Sequence, residues 1–349
     1  MLPDRKNKSM AKKKSIAVIG CGYWGPNLMR NISENNRSHL RWLVDINQKR
    51  LQQLSELYPQ ARATTHLAEA LADPTLDAVA IATPVGTHFS LAKKALHAGK
   101  NVLVEKPMAQ SLSECKELIA LARKKRLTLM VDHTFIYSGA VRKMRDLIKK
   151  NELGDIYYFD SVRVNLGLFQ HDINVIWDLA PHDLSIMDYV LNEKPVKVSA
   201  HGTSHFPDSK MENIAYLTLK FPNDNLAHFH VNWTAPAKVR RIIIGGSKRM
   251  LVFDDLSPDE KIKIYDRGVT IKNRTKTNPM DVLAEYRIGD LYVPYIDRTE
   301  PLKREVDHFL DCIEKHQTPE SDGLSGLRIV NILVSAQKSL QKQGAFVSL

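Results

Sequence analysis

The sequence predicts an α/β protein of two domains, a doubly wound parallel sheet followed by an α+β domain built on a large, mostly antiparallel open sheet. Three observations predict it. β-branched runs alternate with helix-forming stretches over the first third of the chain, long β runs separated by turns fill the middle, and two helical patterns close the C-terminus. The 349 residues exceed what one core usually supports, and a hydrophobic content of 43% is enough to fill two.

The chain opens on a basic tail, residues 1–14, expected to be flexible. SIAVIG (15–20) and LRWLVD (40–45) read as the first two strands, and DAVAIAT (77–83), NVLVEK (101–106) and TLMVDH (128–133) as later ones. Helical stretches near 24–35, 47–57, 87–98 and 111–125 lie between them, rich in Ala, Leu, Lys and Glu. The first domain therefore spans 15–135. A helix near 139–150 and a turn at Gly154 lead into the second domain, 136–349. Its strands are IYYFDSVRVNL, VKVSAHGTSHF, NIAYLTLKF, LAHFHVNW, RRIIIGG and MLVFDD. Its closing helices, near 303–316 and 324–341, carry Val306, Phe309, Leu310 and Ile313, then Val330, Leu333 and Val334, at helical spacing.

Charge and composition exclude several classes of function. The net charge is +11, but Arg5, Lys6, Lys8, Lys12, Lys13 and Lys14 against Asp4 contribute +5 of it within the tail. The rest is spread along the body with no basic block interleaved with aromatics, which argues against nucleic acid and suits an anionic ligand better. No apolar run reaches the roughly 18 residues of a membrane span, and no secretory signal precedes the first strand, so a cytoplasmic protein is expected. Cys21, Cys115 and Cys312 are odd in number and free of CxxC spacing, which argues against disulfides and structural zinc.

Gly20, Gly22 and Gly25 form G-x-G-x-x-G, with Tyr23 and Trp24 inside it, directly after the first strand and at the start of a helix. In that context the first glycine permits a tight turn, the second lets the backbone approach a pyrophosphate, and the third allows close helix packing. Asp45 ends the second strand about 20 residues on, where a carboxylate accepts bonds from the adenosine ribose hydroxyls and repels a 2′-phosphate. A Rossmann domain binding NAD is predicted, in preference to NADP, although Lys49 and Arg50 lie close by; nothing further supports a flavin.

Ligands of open α/β sheets lie beyond the carboxyl ends of strands, where this chain places Thr83-Pro84 with His88, Glu105-Lys106-Pro107, and Asp132-His133. Lys106 can bond a substrate oxygen and stabilise negative charge on it, or it can be a solvated strand-end lysine. In WDLAPHD, Asp178 and His182 stand four residues apart at an expected helix start, with Pro181 in the first turn. A neutral imidazole there can take a hydroxyl proton while the carboxylate orients the ring. The competing reading makes Asp178 an N-cap and His182 a packing residue. His228 and His230 share a strand face, but no further metal-ligating partner is evident and no metal is expected.

AVIGCGYWGPN, IATPVGTHFSLAKKALHAGKNVLVEKPMA and WDLAPHDLSIMDY resemble, in order, signatures of the glucose-fructose oxidoreductase, inositol dehydrogenase and rhizopine-catabolism (Gfo/Idh/MocA) family, over roughly residues 15–345. The resemblance implies a nicotinamide-dependent dehydrogenase acting on a CH–OH group, and a homodimer or homotetramer formed through the C-terminal sheet. It implies that Lys106 is the lysine of the family's EKP motif, that His182 is the catalytic histidine and Asp178 the acid before it. It also implies that His88 and Glu105 neighbour the cofactor, and Thr83, Pro84 and His133 are expected beside it from their place at the strand ends. Pro181 departs from the small residue often seen before the histidine. The stretch RVNLGLFQHDINVIWD, with Arg163, Asn165, Gln170 and Asn174 as polar candidates, resembles members that oxidise the 3-hydroxyl of UDP-linked N-acetylated sugars. Two alternatives stay open: a dehydrogenase of a free cyclitol or aldose, and a non-catalytic NAD-binding regulator.

Overall fold

The computed structural model describes residues 13–167, 173–205, 211–271 and 284–349 and divides into two compact units. The first carries β1 (Lys14–Ile19), α1 (Gly25–Glu34), β2 (Ser38–Val44), α2 (Gln48–Leu57), β3 (Arg62–Thr64), α3 (Leu67–Ala72), β4 (Ala78–Ile81), α4 (Val85–His97), β5 (Asn101–Glu105), α5 (Leu112–Lys125) and β6 (Leu129–Asp132). Its six strands are all parallel, in the order β3-β2-β1-β4-β5-β6. Every residue of β4 and β6 is buried, as expected when helices cover both faces of a parallel sheet. The strand order reverses between β1 and β4, and that switch point opens a crevice beyond their carboxyl ends. Three residues of β3 and six of α3 escape the sequence reading, because so short a stretch shows no period.

The second unit begins with a 3-10 turn (Thr134–Tyr137), α6 (Gly139–Lys149), β7 (Ile156–Leu166) and α7 (Val175–Val190). There follow β8 (Lys197–Thr203), β9 (Ile214–Lys220), β10 (Leu226–Asn232), β11 (Thr234–Gly246), β12 (Met250–Asp254) and β13 (Ile262–Tyr265). Then come β14 (Gly268–Ile271), β15 (Ala284–Arg287) and β16 (Leu291–Tyr292); α8 (Pro301–Lys315) returns to the first unit, and the second resumes within α9 (Gly323–Gln341), at Arg328, and ends on β17 (Val347–Ser348). Nine strands form one sheet in the order β16-β13-β12-β11-β7-β10-β9-β8-β17, while β14 and β15 pair separately. Only β7 and β10 run parallel within the nine. Alternate residues such as Ala227, Phe229 and Val231 point into a core shared with α6, α7 and α9, and the intervening His228 and His230 lie on the other face.

Two expectations are corrected. Helix α7 starts at Val175 rather than near Asp178, because Asn174 caps it by accepting the Trp177 N–H at 3.2 Å. Pro181 therefore lies inside the helix, not in its first turn, and removes the N–H that the Trp177 carbonyl would otherwise accept. The second correction concerns the boundary. Residues Leu302–Leu327 belong to the first unit, not to the second with the rest of the C-terminal half. Polar contacts explain it: Arg37 donates to Asp311 at 2.8 Å and Glu314 at 2.7 Å, Asn35 donates to Asp307 at 2.8 Å, and the Val131 N–H donates to the Ser321 carbonyl at 2.8 Å. Among the described residues, no helix is long and apolar enough to cross a membrane.

Candidate functional site

The glycine loop is built by steric necessity. Gly20 has φ +94°, and a Cβ there would lie 2.5 Å from the Ala82 carbonyl oxygen at the end of β4. A Cβ on Gly25 would lie 2.2 Å from the Gly20 carbonyl oxygen, so α1 can start this close to the loop only with glycine. Gly22 differs. A Cβ there would meet nothing within 4 Å, which leaves its backbone open to a ligand at the N-terminus of α1. The loop thus fits a dinucleotide pyrophosphate.

Asp45 reaches back from β2 to this loop. Its Oδ2 accepts the Cys21 N–H at 2.6 Å and its Oδ1 accepts the Asn47 N–H at 2.8 Å. Arg50 sits alongside, its Nε donating to the Cys21 carbonyl at 2.9 Å. Burial, followed by the nearby Asp45 charge, pushes the Cys21 thiol up to about 12, so it stays neutral. Tyr23 is exposed, while the indole of Trp24 donates to Asp132 Oδ2 at 2.7 Å and ties the loop to the end of β6.

His88 is held between two backbone carbonyls. It is buried in α4, with Nδ1 2.8 Å from the Pro107 carbonyl oxygen and Nε2 2.7 Å from that of Thr83. Burial pushes the ring's pKa down, and a neutral imidazole has one N–H, so it donates to one of these two strand-end loops and sets its other nitrogen against the second. Thr83 and Pro84 lead into α4, the Thr83 hydroxyl accepting from Thr87 at 2.7 Å. Glu105 ends β5 in register with Asp132, and Lys106 follows in a cis peptide with Pro107. His133 is buried at the start of the 3-10 turn.

In the second unit Asp178 and His182 are one turn apart on α7. Asp178 Oδ2 accepts the indole N–H of Trp233 at 2.9 Å, and the His182 ring meets the Phe135 ring edge-on at 5.1 Å. Trp233 is itself seated against Gly167, where a Cβ would lie 2.6 Å from the indole. Neither aromatic belongs to a motif legible in the sequence. The usable signal was Trp233 itself, since an indole buried at a strand end needs an acceptor for its N–H.

Arg163 and Asn174, expected as substrate contacts, are occupied by the fold. Arg163 pairs with Asp183 through two bonds of 2.7 and 3.0 Å, Ser161 donates to the same carboxylate at 2.8 Å, and the guanidinium lies 4.5 Å from the centre of the Phe135 ring. With side chains 3% and 4% exposed, this is a buried pair whose rupture on one side typically costs about 3–5 kcal/mol. It fixes to β7 the turn of α7 that carries His182. Asn174 uses its amide on Glu212 at 2.7 Å and Gln337 at 2.9 Å besides capping the helix. Asn165 is half-buried on β7, and Gln170 lies outside the described residues. His228 and His230 stack on Tyr216, with centroids 6.0 and 4.4 Å away.

Two family models match this chain: the oxidoreductase family with an NAD-binding Rossmann fold (Gfo/Idh/MocA) over residues 14–133, and the Gfo/Idh/MocA C-terminal domain over 141–252. Together they cover well over half of it. An uncharacterised oxidoreductase, YrbE of Bacillus subtilis, is 24% identical over 350 residues, which is 95% of either chain. The UDP-N-acetylglucosamine 3-dehydrogenase of Acidithiobacillus ferrooxidans is 28% identical over 274 residues, 76% of this chain and 81% of that one. The solved structure of that dehydrogenase superposes with a TM-score of 0.77, at 25% identity, over 94% of this chain and 98% of its own. The fold is shared also by the WlbA dehydrogenase of Bordetella pertussis, solved with NADH and UDP-GlcNAcA, at TM-score 0.80 and 19% identity over 97% and 98% of the two chains.

Proposed function

Because this chain belongs to the Gfo/Idh/MocA family of NAD-binding oxidoreductases, we propose that it oxidises a ring secondary alcohol, the 3-hydroxyl of a UDP-linked N-acetylated sugar, with NAD as acceptor. The observation that carries the reading is the Asp178 carboxylate, pinned by the Trp233 indole one helical turn before His182. Held so, it orients the imidazole and stabilises its protonated form, and His182 takes the proton of the substrate hydroxyl. The Lys106 ammonium donates to the substrate oxygen and steadies the negative charge that gathers on it. NAD, when bound, supplies the two-electron acceptor for the hydride leaving carbon. Asp45 at the end of β2 supports NAD over NADP. The sugar class rests on the Acidithiobacillus relative named above.

The test is absorbance of NADH on mixing the protein and NAD or NADP with UDP-N-acetylglucosamine, its uronic acid, inositol or glucose; a parallel assay adds a 2-keto acid to reoxidise tightly held cofactor and reads the 2-hydroxy acid formed instead. NADH should form with a UDP-sugar alone. Replacing the base, His182→Asn, should lower turnover about a thousandfold, and Lys106→Ala about a hundredfold, without loss of NAD binding. Turnover surviving in His182→Asn would reject the assigned base, and activity on inositol or glucose alone would replace the UDP-sugar by a free polyol.

A further inference from the structure

Helix α7 carries His182 near its middle, and a cavity of about 460 Å³ lies at its C-terminal end, wholly within the second unit. That volume is in the range of small-molecule pockets. Four segments build it: the end of α6, the start of β7, the turn after α7, and the turn between β9 and β10. Tyr157, 55% exposed at the mouth, supplies aromatic surface, while Phe159 and Phe221 belong to the core behind the wall. Asn151, Asn192, Asn223 and Asn225 are among the lining residues, with Asp155 and Glu193, and the Asn223 Oδ1 already accepts the Asn225 N–H at 3.4 Å. No Lys or Arg is among the described lining residues, although the Lys194 ammonium donates to the carbonyl of the lining Leu191 at 3.3 Å. The ammonium of Lys248 approaches from outside the lining and donates to the Asn151 carbonyl at 3.4 Å.

We infer that this cavity is a second, non-catalytic site for an uncharged saccharide ring. A pyranose has one face of C–H bonds, which are attracted to the negative face of an aromatic ring, and an equator of hydroxyls that both donate and accept. Each amide offers two donors and an acceptor, and each carboxylate accepts from hydroxyls, so the rim matches that equator. A phosphate or a sugar acid would instead meet two carboxylates, while the nearby ammonium groups of Lys248 and Lys194 are engaged by backbone carbonyls and, for Lys194, by Asp188, so water would hold it better. The ligand therefore differs in charge from the nucleotide-linked substrate proposed above, and the inference does not depend on that proposal.

The experiment is titration of the full chain with N-acetylglucosamine and glucose, followed by saturation-transfer NMR and calorimetry, with UDP as the anionic competitor. Binding of at least one sugar should be saturable and should weaken about fivefold or more in Tyr157→Ala and in Asn192→Ala, two exposed positions whose truncation leaves the core intact. It should persist in His182→Asn and with NAD saturating, and UDP should not displace it. Absence of saturable binding in the tens of millimolar range overturns the inference. So does binding that survives both cavity substitutions, that is lost in His182→Asn, or that UDP displaces, since the sugar would then sit elsewhere.

Discussion

At the residue scale, the least expected group is Trp233. Its indole N–H, at 2.9 Å, helps to fix the carboxylate on which the proposed base depends. Trp233→Phe keeps most of the ring and removes that donor, a hydrogen bond to a charged group worth about 1.5–3 kcal/mol. Turnover should fall roughly tenfold with NAD affinity unchanged. Steady-state kinetics beside cofactor titration checks this: a rise in KM with unchanged kcat would mean that Trp233 serves substrate binding, not the orientation of Asp178. His88 and Arg163 carry the opposite lesson. Their chemistry suits a ligand, but His88 is buried against two carbonyls and Arg163 against Asp183. A side-chain type announces which partners it can take, and burial decides which of them it has.

At the element scale, α7 is held at both ends. Asn174 caps its start, and near its end Asp188 accepts two bonds from Arg328 of α9, at 2.9 and 2.7 Å, with Lys194 at 3.1 Å. Burial opposes ionisation of Asp188, but the Arg328 hydrogen bonds and the Lys194 charge outweigh it and hold the pKa below the usual carboxylate value. A carboxylate depressed in the folded state stabilises it fully above the unfolded pKa, about 3.9, and loses that contribution as pH falls through the folded value. Asp188→Asn should therefore be markedly less stable than the parent at pH 7, and the gap should close progressively below about pH 4. Denaturant unfolding across that range checks it; a gap independent of pH would mean that packing, not charge, holds this end of the helix.

At the scale of the whole molecule, the nine-stranded sheet covers one face with α6, α7 and α9 and leaves the other to residues such as Tyr216, which is 44% exposed. A sheet face with exposed aromatics is a natural site of self-association. The family resemblance points to a homodimer or homotetramer formed there. Light scattering should return an oligomer, and Tyr216→Glu should shift it toward monomer while NAD affinity, which belongs to the other unit, stays within about twofold. A parent chain that runs as a monomer would remove this expectation.

Much of this molecule was legible from its residues. The parallel strands are near-continuous apolar runs, the glycine loop answers to backbone geometry that only glycine adopts, and the EKP and WDLAPHD stretches sit beside recognisable elements. Local signals of this kind depend on neighbours a few positions away, so the linear text contains them. What the tertiary structure decided was long-range. Trp233 lies 55 positions from Asp178, Arg163 lies 20 from Asp183, and Arg37 lies 274 from Asp311. Whether a polar side chain faces a ligand or its own fold depends on which distant atoms arrive beside it when apolar surface is buried, and no periodicity records that.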